Sequence, residues 1–165
     1  MAAYTLTNDD IIKGGHLMVF VGDNPIAFAT SHSLNKTLNT QELSTKDHGD
    51  YAAVLPQNIS WEITTENLYS ILGYQALNTA FNNRTLVTVY FGESSYSQDT
   101  TQDSIVAVQG AQGVQGGGTN WTKAGFGESG TAYITSLSVT AGAGENATFS
   151  ATFTGSGSLS TTSNS

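Results

Sequence analysis

Apolar and polar residues alternate over much of this chain, and the alternation has the two-residue period of a β-strand. Gln57 to Thr65 is the clearest case. Ile59, Trp61 and Ile63 fall on one face, and Asn58, Ser60, Glu62 and Thr64 on the other. Ala147 to Thr154 repeats the pattern, with Ala147, Phe149, Ala151 and Phe153 set against Thr148, Ser150, Thr152 and Thr154. Leu17 to Val21 is a short apolar strand followed by the turn cluster Gly22-Asp23-Asn24-Pro25. Ile26 to Ser33 then reads as the second strand of a hairpin, Ile26, Phe28 and Thr30 alternating with Ala27, Ala29 and Ser31. Leu86 to Phe91 and Ala132 to Thr140 are further strands, the latter with Tyr133, Leu137 and Val139 on one face.

The period changes once. Tyr74, Leu77 and Phe81 fall at helical spacing, and Asn82-Asn83-Arg84 closes the segment, which predicts one short amphipathic helix. Three stretches carry no such pattern. Asn35 to Asp50 is polar and long for a connection within a compact domain. Residues 92–130 are rich in Gly, Gln and Ser, with one apolar piece at Ile105 to Val108, and read as a surface excursion. Residues 156–165 are rich in Ser and Thr and read as a flexible tail. About seven strands and one flanking helix predict a single mainly β domain over 1–165, a sandwich or barrel. Its core is expected to hold Ile59, Trp61, Ile63, Leu77, Phe81, Phe149 and Phe153.

Composition sharpens this picture. Charged residues make up only 11% of the 165 positions, well below the roughly 25% of an ordinary soluble domain. So little charge suits a surface covered by other subunits better than a free monomer. The net charge of −8, with five Lys and Arg in all, leaves too few cations to grip phosphates. An acidic wall that repels DNA is compatible with it. With no cysteine there is neither a disulfide framework nor a thiolate metal site. Met1-Ala2-Ala3-Tyr4-Thr5 lacks the basic and apolar regions of a signal peptide. The longest apolar run, about five residues, is far short of the roughly 20 that span a bilayer. The sequence thus predicts cytoplasmic synthesis and no membrane binding.

Catalytic and ligand chemistry find no constellation. His16, His32 and His48 are scattered without ligand spacing, so no metal is expected. Gly116-Gly117-Gly118 is followed by no Gly-Lys-Ser/Thr, and Ser129 lacks the glycine flanks of a nucleophile elbow. Glu62 and Glu66 form a conceivable carboxylate pair, but on the polar face of a strand they read as exposed. The Asn58-Ile59-Ser60 and Asn146-Ala147-Thr148 sequons carry no weight without a secretory signal. No cofactor and no enzymatic activity are expected.

Several segments, in order, resemble the major tail protein family of long-tailed bacteriophages, the TP901-1-like tube proteins. They are Gly22 to Ser31, Leu43 to Gly49, Ile59 to Thr64, and Ala132 to Leu137 followed by Gly144 to Phe149. The resemblance runs from Leu17 to Leu159 and leaves residues 92–130 without a counterpart. It implies a β-sandwich or barrel with a flanking helix. It also implies hexameric rings whose inner strands form one continuous barrel, stacked into a hollow virion tube made in the host bacterial cytoplasm. The implied partners are further copies, a tape-measure protein, a tail terminator and distal tail proteins, with DNA passing through unbound. On this resemblance Asn58, Ser60, Glu62, Thr64, Thr148, Ser150, Thr152 and Thr154 would line the lumen. Residues 35–51, with Asn35, Lys36, Glu42, Lys46, Asp47, His48 and Asp50, would reach the next ring. The inner tube of a contractile phage tail or related injection system fits the same pattern. A carbohydrate-binding β-sandwich, with Trp121 and Tyr96 as aromatic platforms, is the alternative from another class, and a β-sandwich hydrolase the weakest.

Overall fold

The computed structural model describes residues 14–26, 29–43, 53–96 and 121–164. A single turn of 3-10 helix, Gly14–His16, leads into β1 (Leu17–Val21), β2 (Asn24–Pro25), β3 (Ala29–Leu43) and β4 (Ala53–Leu68). The helix α1 (Ile71–Asn82) follows, then β5 (Val87–Tyr96), β6 (Trp121–Thr140), β7 (Thr148–Gly155) and β8 (Ser160–Asn164). The eight strands form one sheet in the order β2-β1-β5-β6-β7-β4-β3, with β8 also on β6, and every pair is antiparallel.

β6 is the spine. Ala132 sits at its junction, opposite Val87 of β5 on one side and Gly155 of β7 on the other. Before Ala132, β6 pairs with β5 as far as Trp121; after it, β6 pairs with β7 as far as Thr140. β8 carries on along the β7 side, against Gly125 to Ser129. The alternating pattern of β4 and β7 puts Trp61, Ile63, Phe149, Ala151 and Phe153 on one buried face with Ile134 and Val19. α1 covers that face. Leu77 is buried there, and Tyr74 and Ala80 pack beside it. The Tyr74 ring meets Phe149 edge-on, with centroids 6.1 Å apart. Trp61 lies flat on the Cα of Gly155, where any Cβ would collide with its indole, and its Nε1–H donates to the carbonyl of Gly157 at 2.9 Å.

The structure departs from the sequence reading in definite places. Ile59 is 64% exposed, not core, because β7 accompanies β4 only from Glu62 to Leu68 and no described element covers the earlier half. Phe81 is 37% exposed, because it lies at the last turn of α1, beside Tyr133 and Ile134 at the margin of the sheet. Asn35 to Leu43 is strand, and Lys46, Asp47, His48 and Asp50 lie outside the described residues. The Gly-rich excursion is shorter than read, since β5 runs on to Tyr96 and β6 starts at Trp121; Ile105 to Val108 lies outside the described residues. Ser160–Asn164, read as tail, is paired with β6. The partner of β1 in its hairpin is the two-residue β2, not a strand from Ile26 to Ser33.

The end of α1 carries a strained residue. The backbone N–H of Arg84 donates to Phe81 O at 3.1 Å and that of Thr85 to Ala80 O at 3.0 Å, the two bonds of a Schellman motif. The motif needs a left-handed residue at Arg84, which has φ 52° and a side chain where glycine is usual. Arg84→Gly should relieve about 1–2 kcal/mol of strain. Greater freedom of the unfolded chain offsets about 0.4–1 kcal/mol of that gain. The expected net is a subunit more stable by about 0.5–1 kcal/mol, read from urea unfolding of the unassembled chain.

Candidate functional site

The half of the sheet formed by β6, β7, β4 and β3 buries one face and leaves the other bare. Registers across these strands align the bare residues in rows. Asn35, Glu62, Thr154 and Tyr133 form one row, and Ser33, Thr64, Thr152 and Ser136 the next. A third runs Ser31, Glu66, Ser150 and Ser138. Hydroxyls knit the rows together. Ser138 and Ser150 lie 2.7 Å apart, Thr135 and Thr154 2.8 Å apart, and Ser31 donates to Glu66 at 3.2 Å. The three rows hold two carboxylates and no lysine or arginine. Lys36 is on the other face, bonded to Glu128 at 2.6 Å.

Glu62, Thr64, Thr148, Ser150, Thr152 and Thr154 therefore share one face. Asn58 and Ser60 lie further along β4, beyond the reach of β7, with Asn58 accepting a bond from Asn39 at 3.1 Å. Sequence reasoning read parts of the outer two strands, over Ile26 to Ser33 and Ala132 to Thr140, but did not assign them to this face. Ser31, Ser33 and Asn35 do alternate with His32 and Leu34, a signal hidden by the scarcity of apolar residues in β3. In β6 a register shift between Ile134 and Ser136 breaks the alternation.

Among the described residues both margins of this half-sheet are open. β3 pairs with β4 and with no other strand among the described residues. From Ile134 to Thr140, β6 pairs with β7 on one side, while β5 has ended at Ala132 on the other. Because β6, β7, β4 and β3 alternate in direction, an open β3 and an open β6 brought together are antiparallel. Unpaired edges of this length are templates for another strand.

Beyond Asn35 and Glu62, β3 and β4 continue as a two-stranded arm with no third strand among the described residues. Leu38, Leu43, Val54, Leu55 and Ile59 are all exposed on it. Asn35 and Lys36 mark its base and Glu42 its far part.

Other candidates resolve differently. Trp121 packs half-buried against Met18, Phe20 and Tyr90, which removes one proposed sugar platform. Among the described residues no group of three or more His, Cys, Asp or Glu could hold a metal ion. No helix among them is long and apolar enough to cross a membrane.

No family model matches the sequence, and no curated protein matches it. The fold itself is that of tail tube proteins. The tail of an empty gene transfer agent particle, refined helically with sixfold symmetry, superposes with a TM-score of 0.64 at 14% identity, covering 93% of this chain and 100% of that one. The tail tube of SPP1 gives 0.62 at 10% identity, covering 93% and 80%. The sheath/tube terminator of an extracellular contractile injection system, PVC, gives 0.55 at 18% identity, covering 93% and 97%.

One buried group makes the subunit sensitive to acid. Neither ring nitrogen of His32 has a hydrogen-bond partner, and burial lowers its pKa from 6.5 to about 4. The folded state disfavours the imidazolium that the unfolded chain accepts. His32 therefore contributes stability above about pH 6.5 that is lost as pH falls through about 4. The melting-temperature difference between the wild-type chain and His32→Leu should change across that window and be flat above it.

Proposed function

We propose that copies of this chain close into rings through the open edges of β3 and β6, and that the rings stack into the hollow tail tube of a virion. The polar face becomes the lumen wall, and DNA passes along it toward the host. The observation that carries this reading is the pair of mutually antiparallel edges, unpaired among the described residues, flanking a face that no described element covers. Joining them abolishes both edges at once, and cyclic symmetry is how identical subunits do so without leaving a free end.

Six copies, as in the symmetry of the gene transfer agent tail, would close about 24 strands, more than the roughly 16–18 that already enclose an aqueous channel. A face of hydroxyls and carboxylates without cations lacks the lysines and arginines that give phosphates their strong, charge-driven hold. The arm, including Asn35, Lys36 and Glu42, is a contact to another copy. A tape-measure protein fills the lumen during assembly, and a terminator and distal tail proteins close the two ends. The tube role leaves catalysis out. The likeness to the contractile-system terminator favours a second version, an inner tube inside a sheath, which purified sheath protein co-assembling on the tubes would reveal.

Negative-stain electron microscopy of the purified chain should show rings or tubes with a central hole. A monomer at every concentration would sink the reading. Within a functional particle, Glu62→Lys with Thr152→Lys should preserve tubes yet slow DNA ejection at least tenfold, since each copy then offers phosphate two cations. Ejection at the normal rate would show that this face is not the lumen.

A further inference from the structure

The margin of the sheet beside α1 holds a feature that the tube reading alone does not use. Phe81, Asn82, Arg84, Tyr133 and Ile134 frame an open cavity of about 660 Å³. Phe81 and Tyr133 are 37% and 43% exposed, and both line this cavity, Tyr133 from a strand position that also stands in a row of the bare face. Arg84 lines the same cavity. Lys36 and Lys123 are each paired with a carboxylate, so Arg84 is the one lysine or arginine among the described residues without an ion pair. It is also the residue held in a left-handed conformation that glycine would adopt more readily. Strain retained beside an exposed aromatic pair and an unpaired cation points from geometry to a binding role. Aromatic residues and arginine are the types enriched at the centres of protein interfaces.

We propose that this cavity is a socket for the β3–β4 arm of a second copy, with Glu42 of that arm paired to Arg84. The proposal rests on the tube reading and adds to it the receiving site. Two observations select the arm. Its exposed Leu43, Val54 and Leu55 need apolar cover, and Glu42 is the one acid among the described residues of its projecting part. The edge geometry delivers it to the right place. β3 of one copy, laid antiparallel along Ile134 to Thr140 of the next, runs toward Tyr133 as its own numbering rises. At Ala132 the edge is already taken by Val87. The overhanging part of β3 must therefore lift away from the sheet at Tyr133, beside which Phe81 and Arg84 stand.

Charge reversal tests the pairing. Arg84→Glu and Glu42→Arg should each lower the assembled fraction, by sedimentation and electron microscopy, at least tenfold while monomers stay folded by circular dichroism. The double variant should recover most of the assembly. Arg84→Gly should combine a raised melting temperature of the free subunit with weaker assembly, a combination that a purely structural arginine would not give. Because the chain has no cysteine, mixing Glu42→Cys with Arg84→Cys under mild oxidation should yield a disulfide-linked heterodimer, and neither variant alone should. Wild-type tubes together with an indifferent single variant, or a double variant no better than the singles, overturn the socket and leave the tube reading standing. A wild-type chain that never assembles overturns both.

Discussion

A β-strand satisfies its backbone only when it has a neighbour on each side, and this requirement organises the molecule. Seven strands find neighbours within the chain in one continuous path, and β8 fills part of one side of β6. Among the described residues, two of the strand borders left without a neighbour, the outer side of β3 and the last third of β6, flank the half-sheet whose second face is bare. A sheet with one wet face is ordinary; one with a wet face and two long unprotected borders also offers templates for another strand. The sparse surface charge, with 11% of residues charged, removes the usual guard of edge lysines and fits the same conclusion.

The bare face is held flat and regular by what lies beneath it. Trp61 resting on Gly155, and Phe149 and Phe153 against the helix, fix the β4–β7 pair from below. The hydroxyl rows above are then spaced by the sheet's own period, and their side-chain bonds to one another add orientation without adding charge. The acidic excess on this face is modest, two glutamates in three rows. For a wall past which a polyanion moves, the absence of cations matters more than the number of anions, since each lysine would create a sticking point.

How much was legible in the sequence follows from how strongly each segment alternates. β4 and β7 were readable because bulky apolar residues mark every second position, and the helix because Tyr74 and Leu77 share a face. β3 was readable only as far as Ser33, within the strand read over Ile26 to Ser33; beyond that its inward side, with Leu34 and Lys36, offers a period search almost nothing. It is a strand because β4 pairs with it from Ala29 to Leu43, a tertiary cause that local composition does not record. β8 escaped for the same reason. The core expectation erred at Ile59 and Phe81, where periodicity gives the side a residue faces but not whether anything stands opposite. The two borders that carry the functional reading belong to pairing topology, which no single segment encodes.

β6 has a mechanical implication. One uninterrupted chain of 20 residues is laddered to β5 in its first part and to β7 in its second. Lengthwise tension on it loads those ladders in shear, so many bonds must fail together instead of opening one after another. The β1–β5 part of the sheet and the bare half-sheet are accordingly joined through one continuous strand, so a load on either is passed to the other along β6.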